Sequence, residues 1–101
     1  MNKNRETISA WDAAEHLKSE EDMIAYLEAA FEENDPGLIA AAIGDIARAK
    51  GMSKIARSSG LGRESLYKAL SPNANPEFAT IIKVLKAIGL HLHVSGNKNP
   101  A

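Results

Sequence analysis

The spacing of one alanine and one glycine constrains this 101-residue chain more than any other feature of it. Ala56 and Gly60 stand four residues apart within Ser53–Leu70, a stretch with the pattern of two short helices meeting steeply. Helices that cross this way need a small side chain where they touch, and Ala56 falls there. Four residues on, the chain must reverse tightly. Glycine at 60 reaches the left-handed conformation without a Cβ clash. Ile55, Leu61 and Leu66 then fill the wedge between the two helices and whatever supports them. The spacing therefore predicts a helix-turn-helix over residues 53–70.

On this reading Gly62 is the N-cap of the second helix, and Arg63, Glu64 and Ser65 form its first turn. Leu66 and Leu70 point to the core, which leaves Arg63, Glu64, Tyr67 and Lys68 facing outward. In a helix-turn-helix the N-terminal part of the second helix enters the DNA major groove. Arg63 has the geometry to pair bidentately with guanine O6 and N7, and Glu64 to accept from cytosine N4. Tyr67 suits a thymine methyl or a phosphate. Ser53, Lys54, Arg57, Ser65 and the ammonium of Lys68 suit the sugar–phosphate backbone, which sets affinity and register rather than sequence. The plain competing account is a solvated helix face on a small bundle, but it leaves the turn spacing and the basic surface unexplained.

The flanking sequence supplies support helices. Ser19-Glu20-Glu21-Asp22 reads as a helix start, with a serine N-cap and acids at the positive end of the dipole. Met23, Ile24, Leu27, Ala30 and Phe31 recur at helical spacing to about residue 33. Asp35-Pro36 opens the next helix, whose apolar face (Leu38, Ile39, Ile43, Ile46, Ala47) runs to Lys50 before Gly51 stops it. Asn75-Pro76 repeats the Asx-Pro start, ahead of an apolar helix through Phe78, Ile81, Ile82, Val84, Leu85 and Ile88 that ends at Gly89. Asp12–Leu17 suggests one further helical turn, anchored by Trp11 and Leu17. Leu90-His91-Leu92-His93-Val94 alternates with period two and reads as a strand over 90–95 that would pair with a second copy or a partner. The expectation is one all-α domain over 1–101: a five- to six-helix bundle with a Cro/repressor-like helix-turn-helix and room for one short C-terminal strand. Within it lie a loose tail at 1–10, an acidic helical region at 12–34, the helix-turn-helix core at 35–89 and a second tail at 96–101.

The formal charge of −1 conceals a division. Residues 1–35 hold three bases against ten acids, a net of −7, while residues 36–101 hold nine bases against three acids, a net of +6. That polarity suggests a polyanion for one half and a basic partner for the other. Enzymatic chemistry finds little support. There is no cysteine. His16 has no serine or acid at a motif spacing, His91 and His93 make only two ligands, and Gly60-x-Gly62 lacks the Gly-Lys-Ser/Thr of a phosphate loop. The reading is of a non-enzyme without cofactor or metal. With no apolar signal region and no run of about 18 apolar residues, it is also of a cytoplasmic protein that does not engage membranes. Trp11, Tyr26 and Phe31 are read as core rather than as a ligand cage.

From WDAAEHL at 11–17 to Gly89-Leu90, four segments carry a resemblance that covers nearly the whole chain: SEEDMIAYL at 19–27, AIGDIARAKGMS at 42–53, GLGRESLYKALS at 60–71 and NPEFATIIKVLKAIGL at 75–90. Through them the chain resembles the HigA-type addiction-module antidote proteins, which have a Cro/repressor-like DNA-binding domain. Ala56 and Gly60 match that family's turn positions, and Arg63, Glu64, Tyr67 and Lys68 fall on its recognition helix. The resemblance implies a type II antitoxin that binds a small RelE/ParE-like toxin and, with it, represses their shared operon at double-stranded operator DNA. Such toxins are usually basic, which suits acidic residues 12–35. The toxin surface is left open between the acidic N-terminal helix and the C-terminal strand. A homodimer is expected, because one recognition helix reads only a half-site. The alternatives are a stand-alone phage-type repressor and a toxin-binding protein without DNA binding.

Overall fold

The computed structural model describes residues 16–96, and these form five helices. In chain order they are α1 (Glu20–Glu32), α2 (Pro36–Lys50), α3 (Met52–Ser59), α4 (Arg63–Ala69) and α5 (Phe78–Ile88). Most boundaries follow from local chemistry. Ser19 caps α1 in a reciprocal capping box: its hydroxyl accepts from the Asp22 amide at 3.0 Å, and the Asp22 carboxylate accepts from the Ser19 amide at 3.3 Å. Asn34, at φ 55°, takes the left-handed step that ends α1, a conformation asparagine tolerates better than most residues. Asp35 then caps α2 by accepting from the Gly37 amide at 3.0 Å, with Pro36 in the first turn where its missing N–H costs nothing.

The core is built around α2. Ile43, Ile46 and Ala47 are fully buried, and α1, α3 and α5 all pack on this helix. Leu17, Met23 and Leu27 close the core from the N-terminal side; Ile55, Leu66 and Leu70 close it from α3 and α4; Val84, Leu85 and Ile88 close it from α5. Gly44 permits the closest approach. A Cβ there would stand 2.9 Å from the Leu70 carbonyl oxygen, so α2 and the end of α4 are nearer than any side chain would allow.

Several expectations are corrected. Residues 91–96 are irregular, and no strand occurs among the described residues. The alternation of residues 90–94 is real, but a strand needs a ladder partner, and no described segment provides one. The helix after the loop begins at Phe78 with Glu77 as N-cap, not at Asn75-Pro76, and no side chain caps it. Phe78 is therefore on the first turn and 69% exposed rather than in the core; Ile24, Leu38 and Ile82 are also exposed. Of the turn expected over Asp12–Leu17, only the end falls within the described residues: His16 is helical and Leu17 is buried. Trp11 and the two tails lie outside them. No helix among the described residues is long and apolar enough to cross a membrane.

Candidate nucleic-acid interface

Residues 52–69 hold four bases (Lys54, Arg57, Arg63, Lys68) against one acid, Glu64. The local fold sorts them to one side. Ile55 and Ala56 on α3 and Leu66 on α4 are buried, and Leu70 just beyond α4 is buried with them. These four anchors turn the opposite face of the pair to solvent. Ser53, Lys54, Arg57, Arg63, Glu64, Ser65, Tyr67 and Lys68 are all exposed.

The turn between the helices has the backbone its sequence requires. Gly60 is left-handed at φ 79°, ψ 5°, and a Cβ there would meet nothing, so the glycine is needed for its dihedral and not for room. Gly62 is extended at φ −69°, ψ 154° and is the N-cap of α4. Leu61 lies half-buried against the core between them. The turn also has a clasp that sequence reasoning missed. The Ser59 hydroxyl donates to the Ala56 carbonyl at 3.2 Å and accepts from the Leu61 amide at 3.3 Å, bracing both arms of the reversal. A serine just before a turn glycine was the available signal.

On α4 the Arg63 guanidinium lies over the Tyr67 ring, 5.4 Å from its centroid, with a 3.4 Å hydrogen bond from its Nη2 to the tyrosine hydroxyl. An exposed contact of this kind contributes about 0.5–1 kcal/mol, enough to bias the rotamer and too little to lock it. Glu64 and Lys68 have the spacing for an ion pair but form none; among the described residues the ion pair is Arg48–Asp45 at 2.8 Å. The structure thus leaves all eight polar site candidates exposed and brings Arg63 and Tyr67 together, with Ala56, Leu61 and Leu66 packed in or against the core and Gly60 exposed at the turn.

Behind that surface, Tyr26 on α1 donates to the Asp45 carboxylate on α2, which also accepts from Arg48 at 2.8 Å. Burial first, then the hydrogen bond to Asp45 and its negative charge, hold the Tyr26 phenol well above its usual range, and Arg48 pulls weakly the other way. The link fixes α1 on α2. Among the described residues no three His, Cys, Asp or Glu side chains cluster as metal ligands would, and His91 and His93 are exposed.

A small helical protein with a basic two-helix face is the class that fold and surface define. Residues 7–96 match a family described as "Probable addiction module antidote protein", and the chain belongs to that family. An uncharacterized protein of Haemophilus influenzae (strain ATCC 51907 / DSM 11121 / KW20 / Rd) is 50% identical over 93 residues, which cover 92% of this chain and 96% of that protein. No solved structure matches the chain. Membership in an antidote family implies a toxin as partner; the family description does not carry the HigA subtype.

Proposed function

We propose that this protein is the antitoxin of a type II toxin–antitoxin module, acting in the cytoplasm as a homodimer that binds a small basic RelE/ParE-like toxin and represses its own operon. In this reading α3 and α4 are a Cro/repressor-like helix-turn-helix, and α4 is the helix that enters the major groove. Arg63, Glu64, Tyr67 and Lys68 address base edges, while Ser53, Lys54, Arg57 and Ser65 address phosphates. No step calls for catalysis, a cofactor or a metal.

The observation that carries the DNA-binding half is the sorting of side chains on α3 and α4: apolar anchors buried, and eight polar groups, four of them cationic, exposed. The left-handed Gly60 and the Ser59 clasp brace the turn between the two short helices, which suits a rigid two-helix reader. The toxin-binding half rests on the antidote family and on the −7 charge of residues 1–35. That family also favours this reading over a stand-alone repressor.

The test is binding to the duplex upstream of the gene. A dimer that neutralises six or more phosphates should lose about a thousandfold in affinity between roughly 50 and 200 mM salt. It should also prefer that duplex to a scrambled one throughout. Absence of salt-sensitive binding, with partner binding intact, would point to a toxin-binding protein that does not act on DNA.

A further inference from the structure

Two surfaces compete in the sequence for the partner, the acidic N-terminal helix and the C-terminal segment, and in the fold they are the two walls of one groove. It has a volume of about 760 Å³ and opens to solvent between α1 and the chain that follows α5. Ile24 and Phe31 line one wall; Leu90, Leu92 and Val94 line the other. Val94 is 95% exposed, and Ile24 and Leu92 are exposed beside it. Glu20, Glu28 and Glu32 also line the groove with His91 and His93, and among the described residues no lysine or arginine does.

We propose that this groove is the seat of the toxin: a basic protein chain lays an apolar segment along it and sets lysine or arginine side chains against the three carboxylates. The assignment rests on the antidote reading above. Charge complementarity selects the occupant, because a negative rim around an apolar floor favours a cationic partner. It also disfavours a second copy of this chain, since a two-fold contact would bring identical carboxylates together.

α1 is built against its own stability at this place. Its last turn has no basic residue, and Glu32 stands there with Glu33 at the C-cap, at the helix end whose dipole repels anions. Glu28 and Glu32 are like charges four apart, a spacing that destabilises a helix. A helix selected for stability alone would carry lysine here. A basic partner relieves both conflicts at once, and departures from local rules of this kind concentrate at functional surfaces. The opposite wall adds backbone: residues 91–96 make no backbone hydrogen bond with any other described residue, so their amides and carbonyls are open to an extended partner segment.

The test uses the full chain and the protein encoded by the adjacent gene, co-expressed, purified and titrated against each other. Glu28→Lys/Glu32→Lys reverses two exposed charges; it keeps a like-charge pair four apart but puts cations at the helix end whose dipole favours them, so the variant should melt no lower than wild type. It should nevertheless bind the partner about 100-fold more weakly, because like charges then face each other across the contact. Val94→Asp should weaken binding in the same direction with no change in melting. If wild type binds and both variants bind equally well, the groove is not the seat, and the antidote reading stands without it. If wild type itself does not bind, the antidote reading fails and the proposal with it. Loss of a dimer on charge reversal, with partner binding intact, would make the groove a contact between copies and overturn the proposal.

Discussion

Arg63 has a neighbour on its own helix and, in the proposed complex, a second one on DNA. Its stack on Tyr67 is weak enough to be exchanged for a guanine edge, which is worth about 1–3 kcal/mol of discrimination when paired bidentately. Arg63→Ala should therefore weaken binding to the operator by about 1–3 kcal/mol and leave non-specific binding nearly unchanged, whereas Lys54→Ala should weaken all sequences alike. Competition titrations on matched and scrambled duplexes separate the two, and equal loss on both would make Arg63 a phosphate contact. Tyr26 yields a second prediction. Its phenol is held above the ordinary value of 10.0, so the stability it contributes is present below that value and is lost as pH climbs through the folded-state value. Tyr26→Phe should cost about 1 kcal/mol at neutral pH, and less at high pH, when unfolding is followed by denaturant titration. The exposed candidates were legible because helical periodicity alone divides Leu66 and Leu70 from Arg63, Glu64, Tyr67 and Lys68. The Tyr26–Asp45 link was not, because its partners are 19 residues apart on different helices and no local pattern joins them.

Between elements, small residues decide how closely helices approach. Gly44→Ala places a methyl group 2.9 Å from the Leu70 carbonyl, a contact that backbone must relieve by moving. The substitution should cost about 1–3 kcal/mol even though alanine is the better helix former, and because Leu70 follows α4 directly it should also disturb the DNA face. Thermal melting alongside DNA titration would show both losses; an unchanged melt would mean that the α2–α4 approach relaxes freely. Ser19→Ala removes one half of the α1 capping box and should cost about 1 kcal/mol in the same assay. Caps made α1 and α2 readable from sequence, since Ser19, Asp35 and Pro36 act on their own neighbours. The same logic misplaced the start of α5. Asn75-Pro76 has the composition of a helix start, yet the chain stays irregular to Glu77. Residues 90–94 misled for a related reason: alternation specifies an extended chain, while a strand also requires something to pair with.

On the scale of the whole molecule, the charge division of the sequence becomes a division of surfaces. Acids gather on α1 and around its groove, and four of the bases lie on the α3–α4 face, with the core of α2 joining the two. In the proposed function, a cationic protein and a polyanion would therefore not compete for the same side chains. The helix-turn-helix spacing forecast the basic face, and the acidic composition forecast a second partner. That the acidic helix and the C-terminal segment share one groove was beyond sequence reasoning, because it depends on the path of the chain after Gly89. In the proposed function α4 reads DNA in a two-fold assembly. Footprinting the duplex upstream of the gene with the purified protein measures this. Two symmetric protected half-sites should appear on one face of the helix, about 34–36 Å apart or a multiple of that distance, and Arg63→Ala should need more protein to protect both. Uniform protection along the duplex, or a single protected half-site bound by a monomer, would contradict it.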